Sequence, residues 1–359
     1  MSVRRVSAIL LLSLALCIGG ATALFGLALD STGGFSEALG GAGLALNLSG
    51  DSYFANPALL GASDRRENTF ITTFRFNDAL GGIGGGTFRL QEPTVDVAIS
   101  FLAKNLALTI QSLTVFTDMA VDGEVTRYTG EKQTLFELAW AFTLSPLSLG
   151  VRAQALAVSR REQVEIRTDR LLFDYVVETA ISRYSNVDEL SQISIGMGLL
   201  LDYEWIRMGV VMDRFAYSIG DQPLLVESDQ MLKSLSWGIA LASPTYTAEN
   251  DLHLFKVEGA VDMINLGSDE EREVRVGVSL KLQLLPGWSI SLLTGYREPK
   301  KLATDLWRFS LADGTHSVGI GAELSSASLL FHFSYPTDWY FRKPHINEAK
   351  LTSMLTIHL

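Results

Sequence analysis

The 359-residue sequence contains a single cysteine, Cys17, and it lies near the start of the chain. A mature chain beginning beyond it can hold no disulfide, thiolate metal site or cysteine nucleophile. The five histidines (His253, His316, His332, His345 and His358) are too scattered for a metal-ligand spacing. Neither H-E-x-x-H nor G-x-S-x-G occurs, and the glycine run at 81–86 is not followed by Gly-Lys-Ser/Thr, so the chain reads as a non-enzyme without cofactor. Positive charge is also scarce. Lys and Arg total 29 against 40 Asp and Glu, a net charge of −11 that argues against a nucleic-acid partner. Beyond the N-terminus no apolar run reaches the roughly 18 residues a helical membrane span needs. Yet 47% of the residues are hydrophobic, and nine prolines against 31 glycines suit strands and tight turns. High hydrophobicity without spanning runs is what alternation on a lipid-facing β-barrel produces.

The first 23 residues read as an export signal. Arg4 and Arg5 supply the positive start, Val6 to Ile18 the apolar stretch, and Ala21-Thr22-Ala23 the small-residue cleavage site. The apolar stretch is too short for a membrane anchor. Lipidation at Cys17 is the other reading, although the bulky Leu16 stands where a small residue is usual.

Strict alternation dominates the remainder. From Val274 to Leu284, Val274, Val276, Val278, Leu280, Leu282 and Leu284 fall on one face, and Arg275, Gly277, Ser279, Lys281 and Gln283 on the other. Segments 147–157 and 193–203 behave alike. Fifteen candidate strands emerge: 68–76, 82–90, 94–101, 106–116, 132–144, 147–158, 191–203, 205–215, 234–242, 252–263, 272–284, 287–296, 316–324, 327–335 and 350–359. The connections mostly alternate between short turns, taken as periplasmic, and long loops at 117–131, 159–190, 216–233, 297–315 and 336–349, taken as extracellular. An even strand count with both barrel ends in the periplasm removes 82–90, whose Gly81, Gly82, Gly84, Gly85 and Gly86 make a poor strand interior. The expectation is an all-β transmembrane outer-membrane barrel of about fourteen antiparallel strands, with 77–93 an external loop or a broken strand that disturbs the wall. Within 159–190, Leu171, Leu172, Tyr175, Val176 and Thr179 recur at helical spacing, predicting a small helix over 169–184 that caps the outer mouth or only packs its loop. Trp140, Trp205, Trp237, Trp288, Trp307, Trp339, Tyr335 and Tyr340 are expected in interfacial girdles, with Trp140 the poorest fit. Arg152, Arg275, Lys281, Glu137 and Glu258 are placed facing the lumen, as solvated lining or internal ion pairs.

One segment does not read as barrel wall. Gly40 to Gly43 form a glycine-rich stretch, Asp51 is the acid that follows, and Asn56-Pro57-Ala58-Leu59 comes next. This order resembles the N-terminal signature of the FadL-type outer-membrane transport superfamily, which is shared with PorV/PorQ-type barrels. The chemistry of the residues agrees with a packed turn: Pro57 fixes φ, Asn56 can bond its own backbone, and Gly40, Gly41 and Gly43 allow close approach to a wall. The resemblance implies a division into signal (1–23), hatch (24–67) and barrel (68–359). The hatch lies in or under the lumen, with Gly40, Gly41, Gly43, Asp51, Asn56, Pro57 and Ala58 as its gate residues. It also implies a hydrophobic small-molecule ligand, such as a fatty acid, and an exit gap where the wall is kinked, for which the Gly81–Gly86 run is the local candidate. Outer-membrane lipid and the barrel-assembly machinery are the other expected partners, the latter reading the terminal strand 350–359, which ends in Leu359 where an aromatic is usual. Three roles remain open: passive uptake of hydrophobic molecules, a docking component for protein secretion, and a structural or adhesive surface barrel.

Overall fold

The computed structural model describes residues 34–46, 52–62, 68–77, 94–122, 125–172, 175–203, 205–220, 224–226, 228–244, 246–247, 253–268, 272–285, 287–298, 314–337 and 350–359. Its strands are β1 (Thr69–Asn77), β2 (Thr94–Ala103), β3 (Leu106–Asp122), β4 (Val125–Leu144) and β5 (Leu147–Leu172). Next come β6 (Tyr175–Tyr203), β7 (Ile206–Ile219), β8 (Leu235–Ala242), β9 (Tyr246–Thr247) and β10 (His253–Ile264). The last are β11 (Glu273–Leu285), β12 (Trp288–Arg297), β13 (Thr315–Leu324), β14 (Ala327–Pro336) and β15 (Lys350–His358). The two-residue β9 only adds to the edge of β10. The other fourteen form an antiparallel ring, closed by β10 against β11 and by β1 against β15 from Thr69↔His358 to Asn77↔Lys350. Closure gives each of the fourteen strands a neighbour on both sides, the condition a sheet must meet in lipid.

The pleat sorts the side chains. Ile99, Ile110, Phe136, Val278, Ile320, Phe331 and Leu355 point outward and are exposed as an apolar band. Their neighbours Ser100, Gln111, Glu137, Ser279, His332 and Thr356 are buried on the inside. The short connections, among them Lys104-Asn105, Ser145-Pro146 and Ser325-Ser326, gather at one end with Asn68 and Leu359, whose N–H donates to the Asn68 carbonyl at 2.7 Å.

Two expected loops are strands. β3 and β4 pair to Asp122↔Val125, and β5 and β6 pair to Leu172↔Tyr175, so 117–122, 125–131, 159–172 and 175–190 are paired strand rather than loop. The predicted helix over 169–184 is absent for an instructive reason. Leu171↔Val176 and Leu172↔Tyr175 are cross-strand partners, so the helical spacing arose from two strand ends paired with each other. At 26 and 29 residues, β5 and β6 are far longer than the roughly 9–11 residues that a membrane-crossing strand needs. Within the expected 216–233 loop a short helix, α3 (Ser228–Lys233), packs beside β7. Among the girdle aromatics, Trp205 and Trp288 are exposed at the short-turn end, whereas Tyr335 is buried beside Phe333 and bonds His316 Nδ1 at 3.0 Å. Trp307, Trp339 and Tyr340 lie outside the described residues.

Candidate functional site

The N-terminal segment packs against the inner face of this ring. It contains α1 (Gly34–Ala38), a single 3₁₀ turn (Ser52–Phe54) and α2 (Leu59–Ala62). α1 ends because Gly40 (φ +68°) and Gly41 (φ +85°) adopt left-handed backbone that only glycine takes without strain, and Gly41 N–H closes the turn on the Ser36 carbonyl at 2.7 Å. Asn56 fixes the second bend. Its Oδ1 accepts from Ala58 N–H at 3.0 Å, while its Nδ2 donates to the Leu44 carbonyl at 2.8 Å and to Leu199 of β6 at 3.2 Å. One buried side chain thus ties two parts of the segment to each other and to the wall.

Along the segment, the wall residues it meets come in ring order. Gly34 meets Met354 and Leu330, Ala38 meets Gly319, Leu39 meets Gly295 and Gly277, Leu44 meets Gly238 and Gly209, Asn56 meets Gly198, Ala58 meets Gly150, and Gly61 meets Thr143. Three of these contacts are cross-strand glycine pairs: Gly277↔Gly295, Gly209↔Gly238 and Gly150↔Gly198. At each pair the wall has lost two side chains at the same height. The gap admits backbone of the segment so closely that a Cβ on Gly295 would overlap Leu39, and one on Gly150 would overlap Pro57 and Ala58. Leu39, Leu46, Tyr53, Leu59 and Leu60 then bury fully among Ile71, Leu102, Ala139, Leu200, Leu293, Leu330 and Met354 of the wall. At this level the ring encloses a packed apolar core.

Backbone groups buried there need partners, and charged wall residues supply several. Asp262 Oδ2 on β10 accepts from Gly43 N–H at 2.6 Å and Leu44 N–H at 2.9 Å. Arg275 donates to the Gly41 carbonyl at 3.3 Å and is held by Glu273 at 2.7 Å, which also receives Arg297 at 2.8 Å. Arg152 donates to the Phe54 carbonyl at 2.6 Å and pairs with Asp213 of β7. Glu37 of α1 pairs with Arg75 of β1 and meets His332 of β14 at 3.0 Å and Thr352 of β15 at 3.4 Å. The charges expected to line a lumen thus do more specific work: Arg152 and Arg275 hold the segment, Glu137 receives Gln154 at 2.6 Å, and Lys281 and Glu258 enter wall ion pairs with Glu323 and Arg207.

Of the expected gate residues, Gly40, Gly41, Gly43, Asn56, Pro57 and Ala58 all lie in this packed region. Asp51 and the Gly81–Gly86 run lie outside the described residues, and β1 and β2 on either side of that run pair without interruption from Thr69↔Leu102 to Asn77↔Thr94. The sequence reading missed Asp262 and the wall glycine pairs. A lone Asp inside the apolar run Ala260-Val261-Asp262-Met263-Ile264 was the available signal for the first.

Burial pushes the Glu37 carboxyl up, but Arg75 and then His332 outweigh it and hold the group down at about 2, against an ordinary 4.5. A depressed carboxyl stabilises docking above its ordinary pKa and loses that contribution as pH falls through its folded one. Docking of α1 is therefore expected to hold from neutral pH to about 4.5 and to weaken between 4.5 and about 2. Hydrogen exchange over 34–46, corrected for intrinsic rates, measures this. Glu37→Gln should show faster exchange at neutral pH and no further acid step in this window.

Solved structures provide the comparison. The Pseudomonas putida toluene transporter TodX matches with a TM-score of 0.53 at 10% identity, covering 94% of this chain and 99% of its own. The CymD monoaromatic hydrocarbon channel matches with a TM-score of 0.51 at 12% identity, covering 93% and 99%. A Pseudomonas aeruginosa FadL homologue matches at 0.50 and 9% identity, covering 94% and 99%. No protein-family model and no curated protein matches the sequence. The chain has the closed β-barrel fold of these three structures.

Proposed function

We propose that this FadL-type barrel resides in the bacterial outer membrane and passes small hydrophobic molecules, long-chain fatty acids among them, inward by passive diffusion. In this reading the N-terminal segment is the gate, and lipid covers the apolar outer band. The observation that supports it most is the packing of the segment against successive strands of the inner wall, in a fold whose solved relatives include a toluene transporter and a monoaromatic hydrocarbon channel. A segment held by a few charged groups and glycine gaps, rather than by a covalent link, can leave its site without unpicking the barrel ladder.

A reversible tether tests the gate. A Cβ built on Gly319 would lie 2.9 Å from Ala38 Cβ, and a modest adjustment reaches the roughly 3.8 Å of a disulfide. The pair Ala38→Cys/Gly319→Cys, when oxidised, is expected to cut uptake of oleate and p-xylene into cells lacking other such channels by about tenfold or more. Reduction is expected to restore it. Unchanged uptake in the oxidised protein would remove the gate, and no uptake by the untethered chain above an unrelated barrel would remove the transport function.

A further inference from the structure

On the side of the N-terminal segment away from the short turns, β3 to β6 present a continuous inner patch. Its first row is Thr109↔Glu137↔Gln154↔Ser194, and its second, two residues further along each strand, is Gln111↔Leu135↔Leu156↔Gln192. Three members of the first row are bonded in series, with Gln154 donating to Glu137 Oε2 at 2.6 Å and Ser194 donating to Gln154 Oε1 at 3.3 Å, while Thr109 bonds Ser100 and Tyr53 instead. Glu137 Oε1 is left over. In the second row, Gln111 Nε2 and Gln192 Oε1 are likewise buried without a partner among the described residues. These three side chains are only 1%, 2% and 6% exposed for Glu137, Gln111 and Gln192. Buried polar atoms are normally bonded, so three unanswered ones on one concave wall need an explanation. Between the two glutamines the wall is apolar, formed by Leu135 and Leu156. Apolar lining with a few convergent polar atoms is the composition of a small-molecule site.

We propose that this patch binds a neutral hydrophobic molecule bearing a hydroxyl group. The hydroxyl accepts from Gln111 Nε2 and donates to Glu137 Oε1, with Gln192 Oε1 as a second acceptor further round the wall, and the apolar body lies on Leu135 and Leu156. A carboxylate head fits poorly. It would meet the open oxygen of Glu137, and the nearby cation is committed, since the terminal nitrogens of Arg152 hold the Phe54 carbonyl and Asp213. A plain hydrocarbon would leave all three polar atoms unanswered. The inference rests on the transport reading and names the substrate class within it.

The test compares retention of tritiated 1-dodecanol, dodecanoate and dodecane by the full chain in lipid nanodiscs, each corrected for nanodiscs holding an unrelated barrel. Dodecanol is expected to exceed both others by about tenfold, the ratio that one well-made hydrogen bond supplies. Gln111→Leu and Gln192→Leu give up no internal hydrogen bond, so both should keep barrel stability, and dodecane retention should rise because each removes a polar atom that a hydrocarbon leaves unanswered. Gln111→Leu should lose most of the dodecanol preference and Gln192→Leu part of it. Equal retention of dodecanol and dodecane by the parent chain, a preference for dodecanoate, or a dodecanol preference that survives in both variants would each overturn the proposal. Retention of none of the three would overturn the transport reading itself.

Discussion

Replacing Asp262 with alanine is expected to free the N-terminal segment while leaving the barrel intact. Asp262 is fully buried, and its Oδ2 takes both the Gly43 and Leu44 N–H groups. Alanine leaves two buried donors without an acceptor, each costing about 1–3 kcal/mol, and more where the lost partner was charged. A combined cost of about 3–6 kcal/mol falls on a short segment rather than on the global fold, and it raises the undocked population by a factor of roughly 10²–10⁴. The wall is insulated because the β10 ladder from Phe255↔Leu282 to Ile264↔Glu273 is made by backbone groups alone. Limited proteolysis within 34–62 should therefore accelerate strongly, while heat-modifiable mobility of the barrel stays unchanged. Asp262→Asn keeps an acceptor oxygen but loses the charge, so its effect should be smaller. Gly238→Ala offers an independent route to the same end, since a Cβ there overlaps Asp262 Oδ1. Parent-like proteolysis in Asp262→Ala would show that the carboxylate is not what holds the segment.

The barrel was legible because a two-sided wall imposes a period of two on the chain. Val274 to Leu284 carries that period without interruption, and β11 spans it. Periodicity also misled, at the place where it carries least information. Near Leu171 to Thr179 the apolar residues belong to two paired strands, and a linear reading cannot distinguish that from one helical face. The long arms of β5 and β6 escaped for a related reason. Sequences such as Arg160-Arg161-Glu162 show no apolar alternation, so the period of two that marks the rest of the wall is missing there.

For the candidate site, what could be read was local and what could not was the partner. Asn56 could be assigned a turn because its side-chain oxygen Oδ1 reaches a backbone N–H only two residues away, and it accepts from Ala58 N–H. Nothing in the sequence places Gly150 beside Gly198, which is 48 positions further along, or Gly209 beside Gly238. Register across a sheet sets those pairs, and register depends on every turn between them. In linear order each looks like an isolated glycine in a strand, a residue that weakens a strand unless another backbone approaches there. The approaching backbone is supplied by residues more than 90 positions away, as with Ala58 against Gly150.

That dependence yields a prediction with opposite signs for the two parts of the chain. Gly150→Val is expected to keep or raise barrel stability and to abolish docking of the N-terminal segment. Valine is a good strand former where glycine is a poor one, so the wall gains. The added Cβ would lie only 2.3 Å from the Pro57 carbonyl carbon and the Ala58 N, main-chain atoms that no rotamer change can move aside. Overpacking of a well-filled core costs about 1–3 kcal/mol even where side chains can yield, and here only withdrawal of the segment relieves it. Gly295→Val should act alike through Leu39 and Gly40. Gly321→Ala is the matched control, because its Cβ would meet only ordinary contacts, with Ser291 at 3.5 Å and Leu330 at 3.6 Å. Heat-modifiable mobility reads the barrel, and proteolysis within 34–62 reads the segment. If Gly150→Val leaves the segment as protected as Gly321→Ala does, the glycine pairs are features of the wall alone, and the segment is held by its apolar core and charged contacts instead.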